Sequence, residues 1–411
     1  MKASYRDTSG RRTLLQFGGA ATLLAATGAL GRSRNADALR TLRIGVALPR
    51  SGYLRGAGDA CFEGVRLAAS LLPQLGFPHF EPLEADTGEG LESARSAALQ
   101  LFDAGVSMLV GCFDSGQTEV VAALAEERRV PMVINVGAAP SITEQGYRYV
   151  FRVFPDAVRI VTDSYELQKQ LFVATGWAPK RVVVMHIDNG RGIDLVDRLW
   201  PQNGMPYEKA PSIAYDPREI DLSDAVERAR DSGADALWTV SRADDAIRIV
   251  REAVRLKWEP RLVMSSNAGL HERSFLEALG RNAEYAVTFA PYYDPRKPLS
   301  VRLRAELARM RPGAELGTLQ VYSFEAMMVA LDAARRARSR EPDALASALR
   351  ATDLRANVSP GPGIRFDAKG QNRSVGLIAL QNLRGRGRVV LPKASAEAAP
   401  VLPAPTWSER S

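Results

Sequence analysis

The stretch VGCFDSGQTEVVAALAEERRVPMVINVGA, residues 110–138, reads as strand, polar turn, helix, strand, polar turn. One short apolar run, 106–110, ends at Gly111, and a second, 130–135, ends at Gly137. The helix predicted between them keeps Val120, Val121, Leu124 and Ala125 on one face, with Glu126, Glu127, Arg128 and Arg129 near its exposed end. In a parallel sheet both turns fall at the carboxyl edge, where open α/β folds hold ligands. Small and hydroxyl-bearing residues there suit a surface that binds a molecule.

The same alternation extends in both directions. TLRIGVALP predicts a buried strand, and DACFEGVRLAASLL predicts a helix beginning after Asp59 as N-cap. FEPLEAD and YRYVFRVFP add strands, and LESARSAALQLFDAG adds a helix closed by Gly105. A second series follows Pro155. It runs through KRVVVMHID, a helix near 193–200, ADALWTVS, DDAIRIVREAVRL, PRLVMSSN and AEYAVTFAPYYDP. The expected fold class is therefore α/β, with two similar Rossmann-like lobes and a cleft between their strand ends.

At 411 residues the chain is long enough for two such cores, and its 46% apolar and 25% charged content is ordinary for a globular protein. The N-terminus departs from this. GRRTLLQFGGAATLLAATGAL carries a paired arginine before a weakly apolar Gly/Ala run, followed by the small-residue site Ala36-Asp37-Ala38. This resembles a twin-arginine export signal over residues 1–38, with a periplasmic destination after cleavage behind Ala38. Removing it takes the formal charge from +7 to +3, spread along the chain, which gives no support for a nucleic-acid partner. The Ala/Pro-rich tail, 392–411, is expected to be disordered.

Enzyme chemistry lacks its parts. In RSGYLRGAGDACFEG, Gly56 and Gly58 fit two positions of a dinucleotide fingerprint, but Cys61 takes the third and Asp59 would face the phosphates. His79, His186 and His271 form no metal or triad pattern, and nothing marks Ser51, Ser115 or Ser141 as an activated nucleophile. Two cysteines, Cys61 and Cys112, allow no zinc spacing, and two buried free thiols are the expected state. No catalytic residue, cofactor or metal is expected. Ser115, Gly116 and Thr118 open a helix, where free N–H groups and the dipole favour a carboxylate; the same residues would serve equally as a simple cap.

IGVALPRSGYLRGAGDACFEGVRLA, the stretch 106–156, DALWTVSRADDAIRIVREAVRLKWEPRLVMSSN, AEYAVTFAPYYDP, VYSFEAMMVALDAAR and GPGIRFDAKGQ occur in one order. That series resembles the type I periplasmic solute-binding proteins of the leucine/isoleucine/valine-binding branch, partners of ABC importers. The resemblance implies lobes at 39–154 plus 291–373 and 155–290 plus 374–391, joined by three hinge crossovers. It also implies a monomer that closes on a small molecule and meets a membrane permease with its ATPase subunits. Carried over onto this chain, ligand contacts fall on Ser115, Thr118, Ala138, Ala139, Asp188, Asn189, Arg242 and Ser266. Ala57 stands where these proteins commonly have a cleft tyrosine, and Arg242 replaces another cleft aromatic. Ser266 takes the place of the acidic residue that pairs with a ligand's α-ammonium. A buried ammonium without that carboxylate would be costly. A small organic anion is the expected ligand, with Arg242 as its partner or, alternatively, paired on the surface with Asp244 or Asp245. A sensor built on the same fold is the second reading, and an exported α/β enzyme the third.

Overall fold

The alternating pattern becomes two parallel sheets. A computed structural model describes residues 42–188, 204–266 and 268–410. The export signal, Asn189 and the helix expected near 193–200 lie outside the described residues. The first sheet comprises β1 (Arg43–Leu48), β2 (Glu81–Asp86), β3 (Met108–Gly111), β4 (Met132–Ile134) and β5 (Val150–Arg152), all parallel in the order β2-β1-β3-β4-β5. Helices α1 (Arg55–Leu71), α2 (Leu91–Asp103) and α3 (Ser115–Glu127) connect its strands. Alternate strand residues serve opposite cores. Ile44, Val46 and Leu48 pack with α1, while Ala47 and Leu109 pack with α2 and α3.

The second sheet holds β6 (Arg181–Ile187), β7 (Glu208–Lys209), β8 (Ile213–Tyr215), β9 (Ala236–Val240), β10 (Leu262–Ser265) and β11 (Val287–Ala290), which pair in parallel. Helices α4 (Ala157–Thr175), α5 (Ser223–Asp231), α6 (Ala243–Arg255) and α7 (Arg273–Leu279) belong to this half. With β8 beside β6, its order β8-β6-β9-β10-β11 repeats that of the first sheet. In both sheets the strand order therefore switches at equivalent points, between β1 and β3 in one and between β6 and β9 in the other.

The chain then returns to the first sheet. Helices α8 (Pro298–Met310), α9 (Thr318–Ala337) and α10 (Pro342–Arg350) join its core. Gly64 of α1 meets α9 so closely that a Cβ there would sit 2.2 Å from the Gln320 carbonyl oxygen. After the short pair β12 (Asp353–Leu354) and β13 (Ile364–Arg365), the hairpin β14 (Ile378–Asn382) and β15 (Gly387–Leu391) adds antiparallel strands to the second sheet.

Two expectations are corrected. The first connecting helix starts at Arg55, not after Asp59; Asp59 lies inside it and pairs with Arg50 at 2.8 Å. The tail beyond Pro392 is ordered rather than disordered. Trp407 is 5% exposed in the second-lobe core, and its indole N–H donates to the Trp258 carbonyl at 2.7 Å. Arg410 covers the Trp407 ring at 3.7 Å and donates to the carbonyls of Asn282 and Glu284. A composition rich in Ala and Pro suggested too little apolar surface for folding alone, but Trp407, Arg410 and Leu402, with backbone bonds from Val401 and Ala404, dock the segment on an existing core.

Candidate functional site

The loops at the two carboxyl edges face each other. In the first lobe, the loop after β1 is held by two carboxylates, one at the end of β2 and one in the loop that follows it. The Arg50 N–H donates to Asp86 Oδ1 at 2.7 Å, and the Tyr53 N–H donates to Glu89. Burial alone would raise the Asp86 pKa, but hydrogen bonds from Ser51, Arg50 and Gly88 outweigh it and leave the carboxyl below its ordinary value. These bonds present the Tyr53 ring to solvent with 63% of the residue exposed.

The turn after β3 is occupied differently from the sequence expectation. Asp114 caps α3, accepting from the Gly116 N–H at 2.9 Å and the Gln117 N–H at 3.1 Å. The donors expected to receive a ligand carboxylate therefore already hold one, so the capping alternative describes this turn. Thr118 is fully buried, and its hydroxyl donates to the Asp114 carbonyl at 2.5 Å. It packs beneath Gly137, where a Cβ would lie 2.5 Å from Thr118 Oγ1. Ser115 Oγ accepts from the Ala138 and Ala139 N–H groups, each at 3.2 Å, and so ties the two quoted turns together with its own proton left to donate.

Beneath that turn lies Arg152, a residue the sequence reading did not single out. It is fully buried at the end of β5. Its guanidinium donates to the carbonyls of Gly137 (3.0 Å) and Ala139 (2.7 Å), to Thr143 Oγ1 (3.1 Å) and to Gln371 Oε1 (2.6 Å). Burial pulls its pKa down to about 10, so it remains charged at neutral pH. One cation thus fixes the 137–139 turn and, through Gln371, the segment that leads on to β14.

In the second lobe Asp188 is exposed just after β6, its N–H bonded to the Tyr215 carbonyl at 2.8 Å. Ser266 follows β10, and its Oγ is buried without a hydrogen-bond partner among the described residues. Arg242 is the exposed residue preceding α6. The surface pair considered for it is not the one formed: Asp245 takes Arg248 at 2.6 Å, and no carboxylate pairs with Arg242 among the described residues. Its guanidinium lies instead 4.8 Å from the centroid of the Tyr53 ring in the opposite lobe. Tyr215 stands nearby, its phenol raised above the ordinary range by burial and by the Asp245 charge, and so neutral.

His79 is exposed, and His186 Nδ1 lies 3.1 Å from the Ile187 carbonyl. His271 packs edge-on to Tyr292. Cys61 and Cys112 are free and buried, and burial pushes each thiol up to about 12. The arrangement can hold a polar molecule between a cationic edge and several hydroxyls.

Comparison with known proteins agrees with that geometry. The Leu/Ile/Val-binding protein homolog 8 of Brucella suis biovar 1 is 22% identical over 384 residues, covering 90% of this chain and 94% of the relative. A leucine-binding protein from Thermotoga maritima superposes with a TM-score of 0.71 at 23% identity, covering 85% of this chain and 97% of the other. A solute-binding protein of an ABC transporter from R. palustris, in complex with benzoate, superposes with a TM-score of 0.68 at 14% identity, covering 89% and 97%. The periplasmic binding protein family model matches residues 41–381. These relatives bind substrates and are not enzymes. With two lobes, a cleft between their strand ends and a family match across most of its length, the chain belongs to the periplasmic binding protein family.

Proposed function

We propose that the chain is the solute receptor of an ABC importer and that its ligand is a small organic carboxylate. The observation that carries this reading is Arg242, a guanidinium with no carboxylate partner among the described residues, which lies against Tyr53 of the opposite lobe. A carboxylate meeting a guanidinium edge to edge makes two parallel charge-assisted hydrogen bonds. Ser115 and Ser266 offer further donors. Lobe closure would remove the ligand from water and complete the contacts from both sides. The benzoate-bound neighbour lends support to the ligand class.

The leucine-binding neighbours favour an amino acid as the second reading. Ser266 argues against it, because a hydroxyl leaves a buried α-ammonium without a countercharge. Cleavage after Ala38, a periplasmic location and delivery to a permease with ATPase subunits complete the proposal. The test is a thermal-shift panel on the chain from Leu39 onward with benzoate, aliphatic carboxylates, leucine and amides. Shifts with carboxylates support the reading. A shift with leucine alone would replace it by the amino-acid one.

A further inference from the structure

Tyr53 is an aromatic side chain held in the open by design of its loop. Both carboxylates that fix the loop, Asp86 and Glu89, bind backbone N–H groups and leave the ring free. The cation over that ring comes from the opposite lobe, in Arg242. Of the two local carboxylates considered for Arg242, Asp245 is committed to Arg248, and no ion pair joins Asp244 to Arg242 among the described residues.

A guanidinium stacked on an aromatic ring uses its face, whereas its five N–H donors lie in its plane. Stacking on Tyr53 and pairing with a carboxylate therefore do not compete. We propose that Tyr53 is a positioning residue for Arg242, and that their contact is an interlobe pin which draws the two lobes together before ligand arrives and leaves the guanidinium edge open to it. The ligand arm of this proposal rests on the carboxylate reading above; the pin itself does not. A carboxylate that binds the edge would complete a chain from ligand to Arg242 to Tyr53 spanning both lobes. Its binding then meets a cleft already biased toward closure, which lowers the fraction of affinity spent on closing.

The experiment places one dye on each lobe, at Glu92→Cys on α2 and Val173→Cys on α4, both on exposed residues. Cys61 and Cys112 are buried with suppressed thiolates and leave the introduced thiols as the labelling sites. Energy transfer is then read without ligand in four proteins: the parent, Tyr53→Ala, Arg242→Gln and the double variant. Tyr53→Ala should shift the closed-to-open ratio toward open by roughly two- to five-fold, the range of an exposed cation–π contact. Tyr53→Phe should keep the parent ratio, and Tyr53→Ala should do nothing further once Arg242 is Gln. An unchanged ratio in Tyr53→Ala, or an equal shift in the Arg242→Gln background, would overturn the pin. With benzoate as probe, Tyr53→Ala should weaken binding by a similar factor while Tyr53→Phe should not. If no protein binds a carboxylate, the ligand reading fails and the ligand-free cycle still decides the pin.

Discussion

Replacing Arg152 with Met keeps a long flexible side chain but removes every donor. Four acceptors then lose their partner, three of them buried and one partly buried: the Gly137 carbonyl, Thr143 Oγ1 and Gln371 Oε1, and the Ala139 carbonyl. Each buried acceptor left without a bond costs about 1–3 kcal/mol, less whatever the freed groups regain by relaxing. The parent in turn bears the cost of burying a cation, already visible in its lowered pKa. The net expectation is a loss of about 3–5 kcal/mol. At about 2.1 cal/mol/K per residue this lowers Tm by roughly 4–6 °C if both lobes melt together, and by about twice that if the first lobe melts alone. The same change frees the 137–139 turn, so ligand binding should weaken as well. Calorimetry and a ligand titration on the same preparation measure both. A Tm within about 1 °C of the parent would refute the argument that this guanidinium organises the turn.

Three further outcomes are expected. Trp407→Ala should destabilise the second lobe by about 3–5 kcal/mol, measured by urea denaturation, because the ring is buried and its N–H is bonded. Were the tail only loosely attached, the midpoint would not move. His271 is held to about 4 by burial, below an ordinary value near 6.5. The unfolded chain therefore binds more protons within that window, and stability falls as pH drops from 6.5 to 4, by up to about 3 kcal/mol. Neighbouring Glu272, an exposed residue whose carboxyl is raised by partial desolvation and by Asp244, acts in the opposite direction, and its contribution to stability falls as pH rises. Comparing melts of the parent with His271→Phe across pH 4–6.5 isolates the histidine: the variant should lose less stability on acidification, and identical slopes would contradict the assignment. Finally, neither Cys61 nor Cys112 should react with a thiol reagent at pH 8 until the protein unfolds, since both are buried and protonated; rapid labelling of the native protein would be inconsistent with the core described.

The repeated strand–helix alternation made the two sheets legible, because parallel strands buried on both faces appear as short apolar runs such as 106–110 and 130–135. The resemblance supplied the Ser115 and Ala138–Ala139 turns, which the structure does bring together through a single hydroxyl. The role of Thr118 was not legible. A threonine in the first turn of a helix reads the same whether its hydroxyl faces a ligand or, as here, its own backbone. The same holds for the helix N-terminus, where Asp114 had to be recognised as a cap before the donors could be counted. Arg152 escaped notice because an arginine within a strand gives no periodic signal, and its partners come from residues 137, 139, 143 and 371. Tyr53 was hidden for a related reason. Its significance is a contact with a residue 189 positions away across the cleft, and no local pattern encodes that.

The proposed function stands or falls with Arg242 as the residue that receives a carboxylate between the lobes. The most direct measurement titrates the chain from Leu39 onward, and its Arg242→Ala variant, with the carboxylates that stabilise the parent, beginning with benzoate. Loss of one charge-assisted bidentate pair of about 1.5–3 kcal/mol predicts a Kd roughly ten- to a hundred-fold weaker in the variant, with its ligand-free Tm lowered by no more than about 1 °C. Undiminished carboxylate binding by Arg242→Ala, or binding of leucine in place of any simple carboxylate, would contradict it.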